Sequence, residues 1–279
     1  MGGLITNSTS AQSHVRRYML LKNKNAVIYG AGGSVGKAVA KAFAIEGAKV
    51  FLTGRTPEKL SQTVEEILLN GGYAEFAKVN ALNMEEVDRH LKSVIAAHEN
   101  IDISFNLIGI DDVQGLSLVD IGEDQFLTPI TIAMKTQFIT ATVAARAMIA
   151  GGSGVILMLS ANAAKKPFEN TGGFGIACAA IEGLSRQLAA ELGKHGIRVV
   201  CLRSAGSPDA AGVSEVFDQH ARLQKLSRQE FERQFAQKTM LKHLPNLSEV
   251  ANVAVIMASD KAASITAAIV NVTCGELAD

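Results

Sequence analysis

Four glycines, Gly30, Gly32, Gly33 and Gly36, fall within seven residues, with Ser34 and Val35 between the last two. Glycine reaches positive φ at little steric cost and lets the backbone approach a ligand with no Cβ in the way. Ala26 to Tyr29, just before them, is an apolar run suited to a central strand, and Lys37 to Ala44 after them resumes with helical spacing. A helix starting behind such a turn points N–H groups and a partial positive charge at one spot, which favours a phosphate. Strand, glycine turn and helix in that order read as a dinucleotide-binding unit rather than a plain βα turn.

Composition narrows the partners. The 279 residues are nearly half hydrophobic and carry no formal net charge, so a nucleic-acid binder, which needs a basic excess, is not expected. The three cysteines, Cys178, Cys201 and Cys274, are too few, too scattered and odd in number for a disulfide framework or a zinc site, and none of the histidines is expected to form a metal-binding set. A reducing, cytoplasmic compartment fits. The most apolar long stretch, Pro129 to Ala150, is interrupted by Lys135 and Arg146, so no membrane partner is expected. Met1-Gly2 with Thr6 mimics a myristoylation pattern, and Arg16-Arg17 mimics a twin-arginine signal that lacks its apolar segment. Residues 1–22 are read as a polar extension.

The elements that must carry the glycine turn alternate regularly. Strands are expected at Lys49 to Thr53, Ala74 to Val79, Ile101 to Leu107, Val155 to Ser160, Ile197 to Leu202 and Ala268 to Thr273. Between them run helices. One is capped by Thr56 with Pro57 at its first position; others cover Asn83 to Ala97, Asp124 to Ile149 and Gly175 to Gly193. A last one is opened by a capping box of Asn246 and Glu249. Near-continuous apolar strands separated by helices describe an α/β fold: a Rossmann-like, doubly wound, parallel seven-stranded sheet in one domain, residues 23–279. Residues 207–245 break the rhythm and suggest one or two amphipathic helices outside the sheet, on the substrate side.

The order of these motifs resembles the short-chain dehydrogenase/reductase family over nearly all of residues 23–279. The glycine turn is similar to the family's Thr-Gly-x-x-x-Gly-x-Gly, with Tyr29 in place of threonine and Ser34 in place of the middle glycine. Ile101 to Gly109 resembles the family's Asn-Asn-Ala-Gly segment, keeping Asn106 and Gly109. Ala179 to Leu184, His195 to Val199 and Ala258 to Thr266 match later family segments. The resemblance implies an oxidoreductase that binds a nicotinamide dinucleotide through Gly30, Gly32, Gly33, Ser34, Val35, Gly36, Asn80, Ala81, Asn106 and Gly109. An acidic residue ending the second strand selects the ribose 2′-hydroxyl, whereas an arginine accommodates a 2′-phosphate. Here Thr53-Gly54-Arg55 ends that strand, so Arg55 points to NADP(H). The family also implies a homotetramer built through the helices at 124–149 and 175–193, whose Ala141, Ala144, Ala145, Ala177 and Ala180 permit close approach.

Family members reduce carbonyls with an asparagine, a serine, a tyrosine and a lysine. Residue by residue, those positions fall on Ala133, Ala161, Phe174 and Cys178, with Ser160 one place early. No tyrosine follows Tyr73 and no lysine lies between 167 and 193, so no slip of register restores the pair. Substitute groups are Asn162, Lys165, Lys166, Glu169, Asn170 and Thr171 after the fifth strand, Cys178 as a helix-terminal thiol, and Asp111 and Asp112 after the fourth. Two readings stay open. One is an NADP(H)-dependent oxidoreductase with atypical or weakened chemistry; the other is a non-catalytic NADP(H)-binding protein acting as sensor or partner subunit.

Overall fold

The computed structural model describes residues 18–278. Its sheet is parallel throughout, as expected, in the order β3-β2-β1-β4-β5-β6-β7. The strands are β1 (Asn25–Tyr29), β2 (Lys49–Gly54), β3 (Tyr73–Lys78), β4 (Ile103–Asn106), β5 (Gly154–Ala161), β6 (Ile197–Ser204) and β7 (Ala268–Val272). The chain winds outward from β1 to β3, then crosses back to β4, so β1 pairs with both β2 and β4. That reversal opens a crevice beyond the carboxyl ends of β1 and β4, where open α/β sheets take ligands.

Helices cover both faces. Against one lie α1 (Ser34–Ile45), α2 (Pro57–Leu69) and α8 (Leu247–Ala258), whose Val39, Phe43, Leu60, Val250 and Ala254 join one buried cluster. Against the other lie α3 (Met84–His98), α4 (Glu123–Gly151) and α5 (Phe174–Leu192), contributing Leu91, Ala144, Met148 and Ile181 to a second. Two faces covered by helices explain why β1 and β4 are buried at every position, including the polar Ser104 and Asn106 of β4. Residues 207–245 form two helices, α6 (Ala211–Leu223) and α7 (Arg228–Lys238), with a small core of their own around Phe217, Phe231 and Leu244.

Several local expectations change. Thr56 holds the position before α2 but makes no side-chain cap, whereas Asn83 accepts from the Glu85 and Glu86 N–H groups at the start of α3. Asn246 and Glu249 cap each other as anticipated. The targeting lookalikes and most of the N-terminal extension lie outside the described residues. The extension's last residues are packed rather than free: Leu21 is fully buried against α1, and its N–H donates to the Glu46 carbonyl at 2.9 Å. No helix among the described residues is long and apolar enough to cross a membrane.

Candidate cofactor and acceptor site

The glycine turn closes the crevice between β1 and β4, and its glycines divide by cause. Gly30 has φ +75°, and a Cβ there would lie 2.5 Å from the Leu107 carbonyl oxygen; a Cβ on Gly36 would lie 2.5 Å from the Gly30 oxygen. These two are demanded by the chain's own packing. At Gly32 and Gly33 the nearest atoms are 3.4 and 3.5 Å away, so the protein itself does not require them to lack a side chain. Gly33 precedes α1 and supplies no side-chain cap, which leaves the first-turn N–H groups available to an outside anion. A cradle that a Cβ would fill, in front of an uncapped helix, fits a pyrophosphate.

Arg55 lies exposed just past β2, with no ion pair among the described residues. One turn into α2, the Lys59 side chain packs beside Gly32. Lys59 escaped the sequence reading, which stopped at the strand end; its four-residue spacing from Arg55 was the available signal. Asn80 is partly engaged: its side-chain oxygen accepts from the Leu82 N–H at 3.1 Å, and its own N–H donates to Glu86 at 2.8 Å. Ala81 is buried in the second core cluster. Asn106 is buried and internally satisfied, donating to Thr140 Oγ1 at 3.0 Å and accepting from the Ile108 N–H at 3.0 Å. It therefore fixes the turn after β4 against α4. Gly109, beyond that turn, has open space around it.

The four positions aligned with the family's carbonyl-reducing groups differ in their surroundings. Ala133 is buried in the second core cluster. The Cys178 thiol hydrogen-bonds to the Ala161 backbone, which brings those two together, and burial pushes the thiol up to about 12. Cys178 is also almost fully enclosed, at 3% exposure, and both the enclosure and the raised thiol argue against a reactive thiolate there. Phe174, half-buried, opens α5. The flanking Gly173 packs against the Phe126 carbonyl and Gly175 against that of Ala163, both too closely for any Cβ. Ser160 is occupied elsewhere, donating to Glu182 Oε1 at 2.8 Å. Glu182 in turn takes the Arg203 guanidinium through both oxygens, at 2.7 and 2.6 Å, and Arg203 reaches Asn271 at 2.9 Å. This buried pair, unseen in the sequence, braces α5 to β5, β6 and β7.

Of the substitute groups, Asn162 and Lys166 are both held by Glu276, at 2.6 and 2.7 Å, and Lys165 donates to the Ala278 carbonyl at 2.8 Å. The C-terminal tail thus lies on the loop after β5. The Asn170 backbone carbonyl accepts from the Gly115 N–H at 2.7 Å, and the Thr171 carbonyl accepts from the Phe174 N–H; Glu169 is exposed. Asp112 accepts from Gln114 at 2.6 Å, and its charge adds, after burial, to the raising of the Cys178 thiol, which puts it within electrostatic reach of that residue. Asp111 is exposed, with a left-handed φ of 52°.

The helices α6 and α7 cover the crevice. The Ala211 N–H donates to Ser34 Oγ at 3.2 Å, Gln219 donates to the Gln114 carbonyl at 2.8 Å, and Phe235 stacks on Phe168 with ring centres 6.1 Å apart. One cover therefore touches the glycine turn, the loop after β4 and the loop after β5.

Comparison with known proteins agrees with this fold. The family described as enoyl-(acyl carrier protein) reductase matches residues 30–276. An uncharacterized oxidoreductase of Bacillus subtilis is 28% identical over 250 residues, 88% of each chain. Secoisolariciresinol dehydrogenase of Forsythia intermedia is 29% identical over 247 residues, 87% of this chain and 84% of that one. Among solved structures, that of an NAD+-bound xylitol dehydrogenase superposes with a TM-score of 0.86 at 21% identity, covering 91% of this chain and 99% of the other. At that identity it speaks for the fold alone.

Proposed function

Because the chain belongs to the short-chain dehydrogenase/reductase family, we propose that it is an NADP(H)-dependent oxidoreductase acting on acceptors that need no strong proton donor. The observation that carries the reading is a contrast. The cradle at Gly32 and Gly33 is open with Lys59 beside it and Arg55 exposed at the end of β2, while the family resemblance assigns Ala133, Ala161, Phe174 and Cys178 to the positions of the acid machinery. When bound, the nicotinamide supplies hydride. The chain's own part is to hold pyrophosphate at the α1 N-terminus, meet a 2′-phosphate with Arg55 and Lys59, and cover the crevice with α6 and α7. Phenylalanine has no proton to give, and the Cys178 thiol, held up by burial, is a poor acid. General acid catalysis contributes ~10²–10⁴ in rate, so ordinary ketones should turn over slowly at best.

An iminium ion already carries the charge that protonation would create, and Asp112 supplies a negative charge within electrostatic reach of Cys178. Iminium acceptors are therefore favoured over neutral ketones, with conjugated enones next. Turnover of NADPH against a panel of ketones, imines and enones tests this directly. Robust imine turnover that falls in Asp112→Asn supports the reading; ketone reduction at ordinary rates, unaffected by Phe174→Ala, sinks it. Restoring all four family groups with Ala133→Asn, Ala161→Ser, Phe174→Tyr and Cys178→Lys should create diketone or quinone reduction that no single change creates.

A second reading, a non-catalytic NADP(H) sensor or partner subunit, draws on the tail: Glu276 ties up Asn162 and Lys166, two of the groups that could have substituted in chemistry. Clear NADPH binding with no turnover of any acceptor would favour it. Either way the chain is proposed to assemble as a homotetramer through α4 and α5, where Phe138 and Ile176 are exposed; a monomer mass by light scattering at micromolar concentration would refute that.

A further inference from the structure

Outside the crevice, three side chains distant in sequence meet. His243 follows α7, Glu249 stands in the first turn of α8, and Cys274 follows β7. His243 Nδ1 lies 3.6 Å from Cys274 Sγ, and one ligating atom from each of the three lies within 4.8 Å of the others. We propose that this trio binds one zinc-like divalent transition-metal ion, which clips the C-terminal tail to the body of the domain.

Distance and donor type both argue for it. A tetrahedral ion at ~2.3 Å from sulfur and ~2.0–2.1 Å from nitrogen holds those atoms about 3.6 Å apart. The observed separation is 3.6 Å. A thiolate, an imidazole and one carboxylate suit zinc or cobalt; calcium and magnesium need a shell of oxygens that is missing among the described residues here. Three protein ligands leave a fourth position for water.

The supports of the ligands point the same way. Glu249 Oε2 accepts from the Asn246 N–H at 2.8 Å, while Asn246 Oδ1 accepts from the Glu249 N–H at 2.9 Å. This box fixes the carboxylate as outer-shell partners of metal ligands do. Cys274 sits at φ +51°, costly for a non-glycine residue, and its carbonyl accepts from the Leu241 N–H at 3.0 Å. The thiol is thus held toward the segment that carries His243. His243 Nδ1 also lies 3.1 Å from the Leu244 carbonyl. Ligation exchanges that hydrogen bond for the metal bond, the ring proton moves to Nε2, and the thiol proton leaves to water.

The consequence reaches the crevice. Two residues beyond Cys274 is Glu276, whose buried carboxylate holds Asn162 and Lys166. An ion at Cys274 would anchor the stretch that places Glu276, making the order of the acceptor site sensitive to the metal.

The test uses the full-length, reduced, chelator-stripped protein titrated with Co²⁺. A thiolate-to-cobalt charge-transfer band saturating at one equivalent per chain, and displaced by Zn²⁺, is expected. Cys274→Ser should abolish the band, and Glu249→Gln should weaken cobalt binding without altering the far-ultraviolet circular dichroism. Zinc should raise the melting temperature of the native chain but not of Cys274→Ser. No band at stoichiometric cobalt, or a band that survives in Cys274→Ser, overturns the proposal.

Discussion

Replacing Arg55 with alanine should separate NADPH from NADH more cleanly than any other single change. Arg55 is exposed and has no ion pair to break among the described residues, so its loss disturbs little besides the ligand. A unit charge pair 4 Å apart is worth about 1 kcal/mol in bulk water and ~4 kcal/mol at the effective dielectric of a protein surface. The cleft edge lies between those limits, and a hydrogen bond to a charged group contributes about 1.5–3 kcal/mol. Arg55→Ala should therefore weaken NADPH roughly 10- to 150-fold. NADH, which has no 2′-phosphate, should change little. Lys59 packs its stem beside Gly32, so Lys59→Ala should cost less, and the double change should leave no preference between the cofactors.

Calorimetric titration at low and high ionic strength reads all of this. Because the interaction is exposed, the NADPH preference should shrink as salt rises, while NADH affinity moves less. Equal affinities in the native protein refute the argument. So does an Arg55→Ala variant that loses both cofactors equally, which would mean that the residue shapes the turn rather than meeting a phosphate.

Tyr29 is fully buried and its hydroxyl has no hydrogen-bond partner among the described residues, so Tyr29→Phe should be neutral or raise stability by about 1–2 kcal/mol in urea unfolding; a loss would reveal a hidden partner. Arg203→Met strands the buried Glu182 carboxylate and should cost ~3–5 kcal/mol, most of it recovered in the double change with Glu182→Leu. Burial holds the Cys178 and Cys201 thiols near 12 in the folded chain, above their ordinary value of 9.0, so the folded state keeps protons that the unfolded state releases. Their contribution is intact below about pH 9 and is lost as pH rises toward 12; stability should fall across that window, less so in Cys178→Ala. Alkylation of the folded protein at neutral pH should label Cys274 and spare the other two.

The architecture was legible because its causes are local. Apolar runs such as Ala26 to Tyr29 can only be central strands once helices flank them, and Asn246 with Glu249 announces a helix start within four residues. Thr56 shows the limit of such reading: it is the right residue at the right place, yet its hydroxyl makes no cap. What stayed hidden depends on pairs far apart in the chain. Glu182 and Arg203 are 21 positions apart, Asn162 and Glu276 114, and nothing in either sequence neighbourhood marks the partner. Lys59 was hidden differently, since its nearness to Gly32 follows from how α2 returns beside the glycine turn.

Ser160 shows why such distant pairs decide the functional reading. A serine one place before the expected position invites the idea that a small shift restores the hydroxyl. The strand forbids it, because successive side chains point to opposite faces and a one-residue slip would turn all of β5 over. The register of β5 is pinned on both sides, by β4 from Ile103↔Val155 and by β6 as far as Ala161↔Ser204. The hydroxyl is also already committed to a carboxylate that carries a buried arginine. Withdrawing it would remove one donor from Glu182 in the interior, a loss of about 1–3 kcal/mol with no gain in chemistry. Ser160 is therefore part of the brace beneath the site. The chemistry proposed for this chain must come from what the acceptor brings and from Asp112, not from a displaced copy of the family's serine.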